Sequence, residues 1–375
     1  MKAGIGYSQK EDAKEAGIEA VKSALKISGE PVITFLFTTE GYNQKDILSV
    51  ILKEIGSSRL VGACGGGIIT PEGVLRKGVG VCTISGKGIR ALTKLQENIN
   101  IDPYKKGIEV GKALLRENAR KGNIFLFPDG FISNISKVLR GLYNAMGSEF
   151  NYVGGGTGDN LRFLKTYQFT EEGVASNGLS AAFIRGKINI HTAIGHGWEP
   201  EGYPMLITKV KGKRVYEFDG KPAFDVYSKR LGRIEIDKFP EYGMRNPFGI
   251  PNVAGNFLIR DPIKVNQDMS IDFVTEVPKN AIGYIMKGSN KTLIQKAKSL
   301  ACAVKEQVKK PHFCLIFDCI SRYLLMGDNF NRELNAIRKC IGEDVPTLGF
   351  LTFGEIGAFR DVPLFHNKTT SIVAG

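Results

Sequence analysis

Residues 317–323 read "FDCISRY", which sets Asp318, Cys319 and Arg322 at the carboxyl end of the apolar run "FCLIFD". Open α/β sheets bind ligands at that end of their strands. A guanidinium there can grip a carboxylate through two parallel hydrogen bonds. A thiol beside a cation can lose its proton and act as a nucleophile. "GEIGAF" at 354–359 and "FHNKTT" at 365–370 add Glu355, His366 and Asn367. If Cys319, His366 and Glu355 meet, they make a thiol hydrolase triad. The plainer alternative is a half-buried, inert thiol beside a structural salt bridge.

Two loops carry further candidates. "YVGGGTGDN" at 152–160 holds three consecutive glycines followed by Asp159 and Asn160. No glycine stands three residues beyond Gly156, so this is not a dinucleotide fingerprint, and the chain has no Walker A motif. The glycines either admit a polar ligand to Asp159 and Asn160 or let two backbones pass closely. "GHGWEPEG" at 195–202 places His196 and the single tryptophan, Trp198, in a glycine-rich loop. Such a loop lines a pocket, or the tryptophan anchors it on the core. His191 and His196 would face opposite sides of a strand, and no HExxH motif is present, so no metal site is expected.

One arrangement of elements recurs three times and must position these residues. In the first copy "AGIGYS" leads to a helix over 10–27, then the strand "VITFLF", a helix over 44–55, the strand "RLVGACGGGII" and the closing strand "GVGVCTIS". The second runs from "IRALTKLQ" through a helix capped by Asp102 with Pro103 following, "NIFLF", a helix over 134–147, "YVGGGTGDN" and "GLSAAFIRG". The third begins at "MSIDFVTEV", with helices over 290–309 and 330–341 around "FCLIFD", then "TLGFLTFGE" and "TSIVAG". Units this long are layered α/β modules rather than solenoid repeats. The expected fold is therefore α/β, with layered mixed sheets from three β-α-β-α-β units in two lobes. Residues 187–268 read as a different, strand-rich region, and the Asp219-Gly220 turn puts the domain boundary at 218/219, giving domains 1–218 and 219–375.

The 375 residues carry a net charge of +13. Lys and Arg are spread among Glu and Asp, which suits a thermophile surface better than a nucleic-acid footprint. No stretch is apolar enough for a signal peptide or a membrane span. The six cysteines are scattered without a CxxC pair, which predicts reduced thiols in a cytoplasmic protein.

Taken together, "GIGYS", "LVGACGGGIITPEG", "YVGGGTGDN", "GHGWEP", "VYEFDGKPAFDVY", "FDCISR", "GFLTFGEIGAF" and "FHNKTT" resemble the FIST family over nearly the whole chain, through both its N-terminal and C-terminal domains. The resemblance implies a prokaryotic signal-input protein that binds a small ligand, for which amino acids have been proposed. Its partner would be a separate signalling protein such as a histidine kinase or chemoreceptor. Gly65, Gly66, Gly155, Gly156, Asp159, Trp198, Cys319, Arg322, Glu355, His366 and Asn367 fall at motif positions; Asn160 and His196 complete the expected ligand set. Arg322 is expected to take a ligand carboxylate, and Asp159 or Glu355 its ammonium, without any cofactor. A stand-alone branch of the family is described as binding haem and sensing nitric oxide. Among His191, His196, His312 and His366, His196 is the first choice of axial ligand.

Overall fold

A computed structural model of the chain describes residues 1–115, 119–252, 255–359 and 361–375. The first unit runs β1 Lys2–Ser8, α1 Ala13–Ser28, β2 Ile33–Thr39, α2 Gln44–Ile55, β3 Arg59–Gly65, the hairpin β4 Ile68–Thr70 and β5 Gly73–Leu75, and β6 Val79–Ser85. The second repeats this as β7 Ile89–Gln96, α3 Pro103–Leu114, β8 Gly122–Pro128, α4 Ile135–Met146, β9 Phe150–Gly155, the hairpin β10 Gln168–Thr170 and β11 Gly173–Ala175, and β12 Leu179–Gly186.

The third unit opens with β13 His191–Gly195 and is then interrupted. The interruption holds β14 Glu199–Lys211, β15 Arg214–Phe218, β16 Lys221–Pro222, α5 Ala223–Arg230, α6 Phe239–Arg245, β17 Phe248–Pro251, β18 Phe257–Arg260, β19 Pro262–Val265, β20 Ile271–Phe273 and β21 Ile282–Lys287. The unit resumes with α7 Asn290–Val308, β22 Cys314–Cys319, α8 Ile320–Met326, α9 Phe330–Ile341, β23 Thr347–Thr352, the hairpin β24 Glu355–Phe359 and β25 Val362–His366, and β26 Thr370–Ala374.

Each unit builds a six-stranded sheet whose outer hairpin comes from another unit. The orders are β1-β6-β2-β3-β10-β11, β7-β12-β8-β9-β24-β25 and β13-β26-β22-β23-β4-β5. Units one, two and three thus give their hairpins to sheets three, one and two, and the exchange closes a ring. In each sheet the two central strands are parallel and joined through a helical crossover. Helix pairs cover one face, so central strands such as β2 and β22 are buried throughout and read as unbroken apolar runs. The other faces meet at the centre of the ring. There Phe37, Phe127 and Phe317, the matching residues of "FLF", "FLF" and "LIF", pack edge to face with centroids 5.4–6.0 Å apart. A fully buried Phe contributes about 1.5–3 kcal/mol, and such ring pairs add roughly 0.5–1.5 kcal/mol.

Three expectations need correction. The third unit starts at β13, not at "MSIDFVTEV", which supplies β20 of the inserted sheet. The stretches "RLVGACGGGII" and "TLGFLTFGE" are each two strands, because the chain leaves one sheet and enters the next between them. Six reduced thiols are not what forms: Cys302 on α7 bonds to Cys340 on α9, with Cα atoms 5.1 Å apart, while Cys64, Cys82, Cys314 and Cys319 are free and buried. The packing of α7 against α9 brings together two residues 38 apart in sequence.

The inserted sheet forms the second lobe around its own core, which includes Phe218, Tyr227, Phe239, Phe248 and Phe273. The boundary expected at 218/219 falls at the turn joining β15 to β16, which pair with each other. Asp219 (φ 53°) and Gly220 (φ 73°) take the two left-handed positions of that turn.

Candidate functional site

β22 runs straight into α8 with no intervening loop. Cys319 ends the strand, and Ser321 and Leu324 follow on the helix facing the inserted lobe. Opposite them stand Pro240 and Met244 of α6 and Asp261, which follows β18. Leu161 and Phe163, from the segment after β9, close one side. Phe353, Gly354 and Asn367 form the floor, and the whole encloses a cavity of about 310 Å³. Ligand pockets begin at about this size.

Asp261 is the one charged residue among the described residues lining this cavity. Its Oδ2 accepts from Ser321 Oγ at 2.8 Å and pairs with Lys368 Nζ at 3.2 Å. Lys368 also donates to the Met244 carbonyl at 2.8 Å, and its own carbonyl accepts from the Trp198 indole at 3.2 Å. Burial pushes the Asp261 carboxyl up, and Lys368 pulls it back down. Asp261 Oδ1 accepts no hydrogen bond from any described residue. Asn367 Oδ1 accepts from Thr275 Oγ1 at 2.7 Å, while its Nδ2 donates to no described residue. One free acceptor and one free donor therefore sit on two residues that line the cavity.

The expected residues divide sharply. Cys319 and Asn367 line this cavity, and His196 and Trp198 line a second one of about 550 Å³ with Lys296, Phe257 and Phe359. Arg322 lines neither. It is fully buried, donating through Nε to Asp318 at 3.1 Å, through Nη1 to the His196 carbonyl at 2.8 Å, and through Nη2 to Glu333. Its role as a clamp on a ligand carboxylate is corrected: the protein's own acids occupy it. Two carboxylates share this one cation, and burial with mutual repulsion pushes Glu333 up to about 8.

Asp159 is also committed internally. Its carboxylate caps the following loop, accepting from the backbone N–H of Arg162, Phe163, Leu164 and Lys165 at 2.7–3.3 Å. Glu355 is fully buried, bonded to Thr352 and Thr369, and pushed up to about 8 by desolvation. Neither acid is open to a ligand ammonium. Asn160 is exposed and accepts from Arg76 at 2.5 Å.

The glycine run resolves to close packing. A Cβ on Gly155 would lie 2.3 Å from Thr352 Cγ2, and one on Gly156 2.8 Å from the Phe353 carbonyl. Gly65 and Gly66 meet Phe350 and Ile320 in the same way, at 2.4 and 2.2 Å. These glycines let strands of neighbouring sheets cross, and the crossing places Phe353 and Gly354 under the cavity.

No catalytic triad is assembled among the described residues. Both ring nitrogens of His366 are buried without a hydrogen-bond partner among the described residues, and burial pushes its pKa down to about 3. Burial, Glu355 and Asp261 all push the Cys319 thiol up, which disfavours the thiolate. His196, the first-choice haem ligand of the alternative reading, is tied into its own loop. Its Nδ1 accepts the Trp198 backbone N–H at 2.9 Å, so the proton of the neutral ring sits on Nε2. Burial lowers its pKa to about 4, and Trp198, 3% exposed, anchors the loop.

Asp261, Ser321 and Lys368 are the site residues that sequence reasoning missed. Lys368 lies inside the quoted "FHNKTT", and Asp261 precedes a proline at the end of "NFLIRD". Only the packing of the insert on the core brings them together.

The fold and this cavity define a two-lobed α/β protein with a ligand-sized space at the seam between its lobes. The chain belongs to the FIST family: residues 32–221 match the FIST N domain and residues 223–358 the FIST C domain. FIST domains are associated with sensory signal transduction proteins. An uncharacterized protein of Methanocaldococcus jannaschii is 24% identical over 274 residues, 65% of this chain and 52% of that one, so the chain spans about half its length. An uncharacterized protein of Mycobacterium tuberculosis is 22% identical over 393 residues, 99% of each chain. Among solved structures, a chorismatase aligns over 99% of this chain and 97% of its own, at 8% identity and a TM-score of 0.34. A likeness this low carries no argument.

Proposed function

We propose that this chain is a sensory protein that binds a small amino acid with an apolar side chain in the seam cavity. The observation that supports it is that Asp261 Oδ1, a free acceptor, and Asn367 Nδ2, a free donor, belong to residues lining one cavity. The ligand ammonium goes to Asp261 and its carboxylate to Asn367. Its side chain packs against Phe353, Leu324 and Met244. Asp261 also pairs with Lys368, so the ligand's two charges and the pair's two sum to zero, with the ligand carboxylate held by the neutral Asn367 amide.

Binding at a seam gives the ligand a way to act at a distance, since it favours the arrangement of lobes that closes on it. The output partner in this reading is a separate signalling protein such as a histidine kinase or chemoreceptor. A cytoplasmic setting belongs to the same proposal, and intracellular proteins of hyperthermophiles do carry disulfides like Cys302–Cys340. The test is calorimetric titration with leucine, isoleucine, methionine and phenylalanine. Leu324, 39% exposed at the rim, is the residue to change. Leu324→Trp fills the cavity from the surface and should abolish the heat while the protein stays folded.

A further inference from the structure

A second site lies beside the seam cavity, where α4 and β25 of the core meet residues of the insert; Val274 lines both spaces. Arg260 is 5% exposed there, yet none of the described carboxylates forms an ion pair with it. Three backbone carbonyls fix its guanidinium: Glu276 to Nε at 2.8 Å, and Ile259 and Phe365 to Nη1 at 3.1 and 3.0 Å. Nη2 donates to no described residue. The hydrogen-bond acceptors of this buried cation are all neutral; the Glu276 carboxylate acts on it without forming an ion pair, and one edge is left over for an anion.

Two adjoining spaces share this arginine. A recess of about 50 Å³ is bounded by Arg260, Lys213 and the start of α4. The N-cap of α4 is Asn134, at φ 70°, and its side chain caps no backbone N–H. The first turn of a twelve-residue helix thus presents donors and a partial positive charge beside the guanidinium. A groove of about 530 Å³ continues from the recess, sharing Ser136, Arg260, Glu276 and Phe365 with it. Leu258, Val277, Pro278 and Leu364 give it apolar walls, and Lys137 and Arg140 stand at its edge. Glu276 is the one carboxylate among the described lining residues, and it accepts from Ser136 Oγ.

We propose that this recess and groove bind an amphipathic organic carboxylate. The carboxylate docks on Arg260 Nη2 and the uncapped start of α4, and an aliphatic or aromatic body lies along the groove. A simple inorganic anion would leave the apolar walls unused, and a neutral alcohol would leave Arg260 unmatched.

Sodium octanoate, 1-octanol and inorganic phosphate are the probes, titrated calorimetrically into the intact chain. Octanoate should saturate at one per chain, with octanol and phosphate each about tenfold or more weaker. Lys137 and Arg140 are exposed, so K137E/R140E keeps the fold and should weaken octanoate about tenfold. Arg260→Met should abolish binding; if that variant fails to fold, the double variant decides. Leu324→Trp must leave octanoate affinity unchanged, which separates this site from the seam cavity. Phosphate as tight as octanoate, octanol as tight as octanoate, an unchanged double variant, or no saturable heat would each overturn the proposal.

Discussion

Lys368 Nζ reaches Asp261 Oδ2 at 3.2 Å across the seam between the core and the inserted lobe, with the side chains 0% and 6% exposed. One residue lies in the turn between β25 and β26, the other at the end of β18. Their pairing ties the two lobes together at the wall of the cavity. Removing one charge strands the other. Asp261→Asn should destabilise by about 3–5 kcal/mol, and Asp261→Asn with Lys368→Met should recover a large part of that loss. Urea midpoints of the two singles and the double give the coupling directly; additive losses would show that the pair is not a unit.

Arg322 belongs to folding rather than to ligand capture. Arg322→Ala leaves Asp318 and Glu333 buried without their cation and should cost about 3–5 kcal/mol. A variant with wild-type stability that has lost ligand binding would restore the arginine to the site.

Glu355 sets a pH dependence whose sign follows from its raised pKa. Its folded-state value is about 8 against an ordinary 4.5, so the folded protein holds this proton more tightly than the unfolded chain. Its contribution is therefore fully present below 4.5 and is lost as pH rises toward 8. Glu355→Gln keeps acceptor and donor positions for Thr369 and Thr352 without the charge. The variant should melt higher than wild type at pH 8, with the gap closing toward pH 5. A constant gap across that range would mean that Glu355 does not titrate there.

Cys319 should alkylate slowly. The thiol is 3% exposed, and burial, with the Asp261 carboxylate nearby, holds it protonated. Its rate with iodoacetamide at neutral pH should fall well below that of free cysteine. Rapid stoichiometric labelling would revive the nucleophile reading.

Much of this architecture was legible from periodicity. Five long helices of the three units fall within a few residues of their expected ends, and α3 starts at Pro103 after the Asp102 cap as expected, because each carries a regular apolar stripe. The matched "FLF", "FLF" and "LIF" runs announced three related sheets, and they meet at the Phe37, Phe127 and Phe317 cluster. The hairpin exchange was not legible, since nothing in "GACGGGII" tells that Gly65 and Ile68 belong to different sheets. Of the residues expected from the sequence, Cys319 at the strand end and Asn367 in the turn do line the seam cavity. It chose Arg322, Asp159 and Glu355 because charged residues near glycines suggest a ligand, but burial turned all three inward. The acid that does line the cavity, Asp261, comes from the insert, and its meeting with Lys368 depends on packing across 107 residues of chain.

The most direct test of the seam cavity is calorimetric titration of leucine, isoleucine, methionine and phenylalanine into the wild-type chain and Leu324→Trp. The account predicts saturable one-to-one binding of at least one of these to the wild type and none to the variant, with both proteins folded by circular dichroism. Binding that persists unchanged in Leu324→Trp would place the ligand elsewhere, and no binding of any of the four to the wild type would contradict the amino-acid reading.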